Sequence, residues 1–141
     1  MNYELDNDLT NDNETLLEKQ LYVQQCKVID EIFKTHDFYV LLLKEKLLRL
    51  KFMMKNKHDQ IDLKQKQELL EEKIKGKGTL IEIVLKLMHP HTAWLIEKCY
   101  LDPETKFDGR WYLEHFSKTT FYKRKKEAVQ EFVGYYFNHV L

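Results

Sequence analysis

Along most of this chain, apolar residues recur at three- and four-residue steps, the spacing of a helix that buries one face. The stretch TLLEKQLYVQQCKVIDEIFK predicts a first helix, with Leu17, Leu21, Val28 and Ile32 marking a face and Asn13 placed as N-cap. His36 and Asp37 interrupt the pattern, and Asp37 suits the N-cap of a second helix, DFYVLLLKEKLLRLKFMMKNK. The first half of that segment is apolar nearly all round, so other helices or a second subunit must cover it on several sides. A third helix is predicted over QIDLKQKQELLEEKIKGKG, with Leu69, Leu70 and Ile74 apolar and Gly76 and Gly78 ending it.

Shorter pieces follow. TLIEIVLKLMH reads as a buried helix opened by Thr79 and stopped by Pro90. After it come HTAWLIEKCYL, a loop DPETKF, a short helix in DGRWYLEHF, and a final helix opening at SKTTFYKRKKEAVQEF. The expected fold class is all-α. A disordered acidic tail (1–12) leads into an N-terminal helical bundle of about three helices (13–78), then a helix-turn-helix region (79–141).

Composition agrees with this picture. The 141 residues are 43% hydrophobic and 33% charged, with only four Gly and two Pro, a mix that favours helices over a many-stranded sheet. The two cysteines form no CxxC pair and no disulfide framework, so a reducing, cytoplasmic location is expected. The longest apolar run, Phe38 to Leu43, falls far short of a membrane span, and no secretory signal opens the chain.

Charge changes the picture more. Lys and Arg number 23, as do Asp and Glu, yet six of the acids lie in residues 1–18 with no base among them. The remaining residues therefore carry a net charge of +6. Between Lys44 and Lys77, 11 bases face six acids, the composition of a solvated helix or of an auxiliary basic surface. The densest cluster is Lys118 to Lys126, with five bases, no acid, and Phe121 and Tyr122 among them. Placed on a helix capped by Ser117, Phe121, Ala128 and Phe132 share a core face. Lys118, Thr119, Tyr122, Lys123 and Lys126 fall on the other side. A short helix in WYLEHF, with Trp111, Leu113 and Phe116 as its apolar residues, precedes that cap. Short helix, tight turn, then a helix that starts with basic and hydroxyl side chains is the layout of a helix-turn-helix, whose second helix enters the major groove.

The residues HPHTAWLIEKCYLDPETKFDGRWYLEHFSKTTFYKRKKEAVQEFVGYY carry a resemblance to the C-terminal helix-turn-helix of phage late-gene transcription regulators of the ArpU/RinA type. More distantly, they are similar to the promoter-reading region 4 of sigma factors. The arrangement also resembles small mycoplasma proteins. The matching features are Tyr100 near the end of a leading helix and the pattern WYLEHFSKTTFYKRKKEA. The acidic insertion DPETKFDG, and GRW where sigma-like proteins commonly carry an acid, depart from it. The resemblance implies binding of double-stranded DNA, with RNA polymerase as a further partner. Ser117 would cap the recognition helix, and Lys118, Thr119, Tyr122, Lys123, Arg124 and Lys126 would face the DNA.

No nucleophile–base set, GxSxG, HExxH or Asp-rich metal motif is readable, so no enzyme, cofactor or metal is expected. His89 and His91 flank Pro90, but Cys99 is the only soft ligand near them. The aromatic tail VQEFVGYYFNHVL reads as core, or as a homodimer contact together with the apolar Phe38–Met54 segment. The competing expectation is a non-catalytic interaction module, for example an RNA-polymerase-associated factor that does not itself touch DNA.

Overall fold

The computed structural model describes residues 12–55 and 60–140, so the acidic tail expected at 1–12 lies, but for its last residue, outside the described residues. Among these, every regular element is helical. They are α1 (Asp12–Met54), α2 (Gln60–Ile74), α3 (Leu80–Leu87), α4 (Pro90–Ile96) prolonged by a π-helical turn (Glu97–Leu101), a 3-10 turn (Trp111–Glu114) and α5 (Lys118–Val140). No helix among the described residues is long and apolar enough to cross a membrane.

The break expected at His36 and Asp37 does not exist. α1 runs unbroken for 43 residues, about 65 Å at 1.5 Å per residue. The reason lies in its inward positions: Tyr22, Cys26, Ile29, Phe33, His36, Val40, Leu43, Leu47, Leu50 and Met54, all buried or half-buried. These alternate steps of four and three without a slip, so a single seam faces the rest of the molecule from one end to the other. Neither His36 nor Asp37 carries the backbone penalty of Gly or Pro. Asp37 sits mid-helix, 3.6 Å from the Lys106 ammonium, and caps nothing. Asn13 is likewise already helical. The face predicted from Leu17, Leu21, Val28 and Ile32 is corrected too. Leu17 and Leu21 are exposed, and the other two lie at the edge of the true seam. The N-terminal region therefore holds two long helices rather than three.

The two halves of the seam meet different partners. Its C-terminal half packs on α2, which offers Leu63, Gln67, Leu70 and Ile74 at the same four-and-three spacing. Gly76 (φ 92°) and Gly78 (φ 81°) then turn the chain through left-handed conformations that side-chain-bearing residues avoid. Thr79 opens α3 as expected, its hydroxyl oxygen accepting the Glu82 N–H at 3.2 Å. Pro90 does more than stop α3: it occupies the first turn of α4, where its missing N–H costs nothing.

The N-terminal half of the seam joins the main core. Cys26, Ile29 and Phe33 of α1 meet Val84 of α3, Leu95 and Ile96 of α4, and Phe121, Ala128, Val129 and Phe132 of α5. Phe132 is fully buried, its ring 5.3 Å from Phe33 and 6.0 Å from Tyr136. A polar clamp fixes how α4 crosses α5. The Glu131 carboxylate accepts the His89 N–H at 2.7 Å and the hydroxyl of buried Thr92 at 2.8 Å, and lies 3.1 Å from His89 Nδ1. A carboxylate from α5 thus caps the N-terminus of α4.

Candidate nucleic-acid interface

α5 starts where the sequence places it. The Thr120 N–H donates to Ser117 Oγ at 3.3 Å, and the Ser117 hydroxyl donates to Thr120 Oγ1 at 2.9 Å. One of the free N–H groups of the first turn is thereby satisfied. Phe121 then anchors the first turn. Its ring stacks on Tyr112 with centroids 3.9 Å apart and planes at 2°, while Trp111 meets it edge-on at 5.7 Å. This aromatic socket fixes the rotation of α5 about its axis, and hence which side chains point outward.

The segment before α5 differs from expectation. WYLEHF contributes only a four-residue 3-10 turn, and Tyr112 is its buried residue, with Trp111 and Phe116 half-buried and Leu113 exposed. At three residues per turn the inward position falls elsewhere than on an α-helix. Trp94, Trp111, His115 and Phe116 form an edge-to-face cluster beside the turn, with Trp94 within 5.3 to 6.3 Å of the other three. The element that packs most extensively on α5 is α4.

The six side chains expected on the DNA side separate into two groups. Lys118, Thr119, Lys123 and Arg124 are exposed. Tyr122 and Lys126 are half-buried and already engaged. The Tyr122 ring lies 5.3 Å from Phe121 and 6.2 Å from Tyr112, and burial, with Tyr112 beside it, pushes its hydroxyl pKa up, so it remains a neutral hydroxyl. The Lys126 ammonium sits over the Tyr22 ring of α1 at 5.6 Å, and Lys125 over Tyr100 at 5.8 Å. Both cation–π contacts tie basic side chains back to the fold. Three of the five bases in the cluster are left directed at solvent.

Sequence reasoning missed some members of this surface. Thr120, Glu127 and Gln130 are exposed beside Lys123 and Arg124, as their helical spacing from Thr119 would have shown. The acidic insertion is turned on itself. Asp102 accepts from Lys98 Nζ and the Glu104 N–H, both at 2.9 Å, and Asp108 accepts the Arg110 N–H at 2.9 Å. The Lys98 hydrogen bond, helped by the one from the Glu104 backbone, holds the Asp102 carboxyl below its ordinary pKa.

Elsewhere, an open groove of about 680 Å³ runs between α1, α2, α3 and the π-helical turn. Its rim charges pair locally, Lys86 with Glu82 at 2.9 Å and Lys106 with Asp37 at 3.6 Å. His36 lines it with a pKa lowered chiefly by burial. Cys99 is mostly buried beneath α5, and that burial pushes its thiol up to about 11. No known protein family, curated protein or solved structure matches the chain.

Proposed function

We propose that the chain is a non-catalytic, double-stranded-DNA-binding transcriptional regulator that presents the first two turns of α5 to the major groove. The observation that carries this is the outward face of that helix. Lys118, Thr119, Lys123 and Arg124 project there together, no acid lies in the first turn, and the helix N-terminus adds its partial positive charge. The first acid of the helix is Glu127, one turn beyond Lys123, so the stretch from Lys118 to Lys126 carries bases and hydroxyls with no acid among them.

The chemistry divides by residue. Lys118 and Arg124, at the flanks, suit phosphate oxygens, which set register and most of the affinity. Lys123 can reach guanine O6 and N7, and Thr119 a base edge or a thymine methyl. The pairing of α4 with α5 across the Glu131 clamp supplies the scaffold of a helix-turn-helix-like reader. In this reading the resemblance to sigma region 4 rests on the mode of presentation and makes RNA polymerase a second partner.

Fluorescence anisotropy on a labelled duplex tests it. Replacing Lys118, Lys123 and Arg124 together with Glu is expected to abolish binding while leaving the circular dichroism unchanged. Undiminished binding by that variant would refute the reading.

A further inference from the structure

The C-terminal half of α1 carries a second stripe, opposite the seam that receives α2. Phe38, Leu41, Leu48 and Phe52 project from it, 61%, 62%, 70% and 68% exposed, with Leu42 and Met53 at 42% each. At roughly 200 Å² for a large apolar side chain, these six leave on the order of 600 Å² of apolar surface in water. Isolated surface apolar residues need no explanation, but two apolar clusters on one helix face, Phe38 to Leu42 and Leu48 to Met53, do. Along Leu43 to Met54 the described element that packs on α1 is α2, and it does so on the far side. A two-helix arm with one covered seam is a poor structure on its own, because helices of this kind draw their stability from packing.

We propose that this stripe is the interface of a homodimer, in which two copies of α1 cross antiparallel. Charge placement selects a second copy of this chain as the occupant. The only charges in the middle of the stripe are Glu45 and Arg49, one turn apart and paired at 2.7 Å within the helix. A two-fold contact is self-complementary: when residue i meets residue j, j also meets i. An antiparallel crossing that sets Glu45 against Arg49 of the second copy also sets Leu42 against Phe52 and Leu41 against Met53. Both opposite charges and apolar bulk are then matched twice by one register. A parallel pairing in register would set Glu45 against Glu45. Lys46 lies at the edge, where its stem can cover apolar surface while its ammonium stays in water. The available area approaches the ~800 Å² per partner of a standard stable interface. This inference rests on the α1–α2 arm alone and is independent of the DNA-binding reading.

Light scattering coupled to size exclusion tests it on the full chain. The wild type is expected at twice its 17.2 kDa mass. Phe52→Glu, at an exposed position set against Leu42 of the second copy, should give a monomer with unchanged helicity. Glu45→Arg should weaken the dimer at least about tenfold through like-charge contact, and the swap of Glu45→Arg with Arg49→Glu should restore it. A wild type that stays at 17.2 kDa at all concentrations would overturn the proposal and leave the stripe to a different protein. A dimer that survives Phe52→Glu, or a charge swap that does not recover association, would overturn it as well.

Discussion

Glu131 is the residue whose removal should loosen the α4–α5 crossing most selectively. Glu131→Ala deletes the acceptor of the His89 N–H (2.7 Å) and one of two acceptors available to the Thr92 hydroxyl (2.8 Å). Thr92 can still turn to the His89 carbonyl at 3.0 Å, so its loss is small. The His89 ring is 72% exposed and contributes little through its ion pair. The main loss is the charge-assisted bond to the His89 N–H, and the total comes to about 2 kcal/mol. That corresponds to roughly 6 °C in Tm for a chain of this size. Glu131→Gln keeps an acceptor oxygen and should cost about half as much. Although burial works to raise the Glu131 pKa, the bonds from His89 and Thr92 outweigh it and hold the carboxyl below its ordinary 4.5. A depressed folded-state pKa stabilises the protein above that value, and the contribution disappears as pH falls through the lower, folded-state pKa. The gap between wild type and Glu131→Ala should therefore close in acid. Urea denaturation at neutral and acidic pH measures both effects. A neutral-pH loss below about 0.5 kcal/mol, or a gap that widens in acid, would refute the clamp.

The remaining predictions concern single residues. Ser117→Ala removes a working N-cap and should cost about 1 kcal/mol, whereas Asp37→Ala, mid-helix, should change stability by less than about 0.5 kcal/mol; equal losses in urea melts would argue for a break in α1. Cys99, with its thiol pushed up to about 11, should react with a thiol reagent in the folded protein far more slowly than in urea, and rapid labelling at neutral pH would contradict its burial. Phe132→Ala empties a fully buried site and should cost about 3–5 kcal/mol, enough to remove most of the cooperative transition in thermal melts.

Much of this architecture is legible in the sequence, and the failures have physical causes. Thr79, Ser117, Gly76 and Gly78 each announce a helix end through local backbone chemistry, and each is found in that role. The length of α1 is hidden in the sequence because His36 and Asp37 look like punctuation when taken alone. The four-and-three pattern from Tyr22 to Met54 passes through them unchanged, and it is this pattern that keeps the helix intact. The short helix in WYLEHF was legible as an element but not as a 3-10 turn, since its geometry follows from the stacking of Tyr112 on Phe121. In the candidate interface, helical spacing identifies Lys118, Thr119, Lys123 and Arg124. It cannot show that Lys125 and Lys126 are drawn to Tyr100 and Tyr22, because those rings come from distant parts of the chain.

That last contrast gives the most direct test of the DNA-binding account. With Lys118 and Arg124 on phosphates and Lys123 on a base edge, the logarithm of the binding constant on duplex DNA should fall against the logarithm of salt concentration with a slope of about −1.8 per chain, near 0.9 for each phosphate contact. The measurement is a salt titration of fluorescence anisotropy on one duplex, with Lys126→Met compared in parallel. The account predicts that slope, doubled if two copies bind together, with Lys126→Met leaving it unaltered. Absence of binding at low salt, or binding whose affinity does not change with salt, would contradict it.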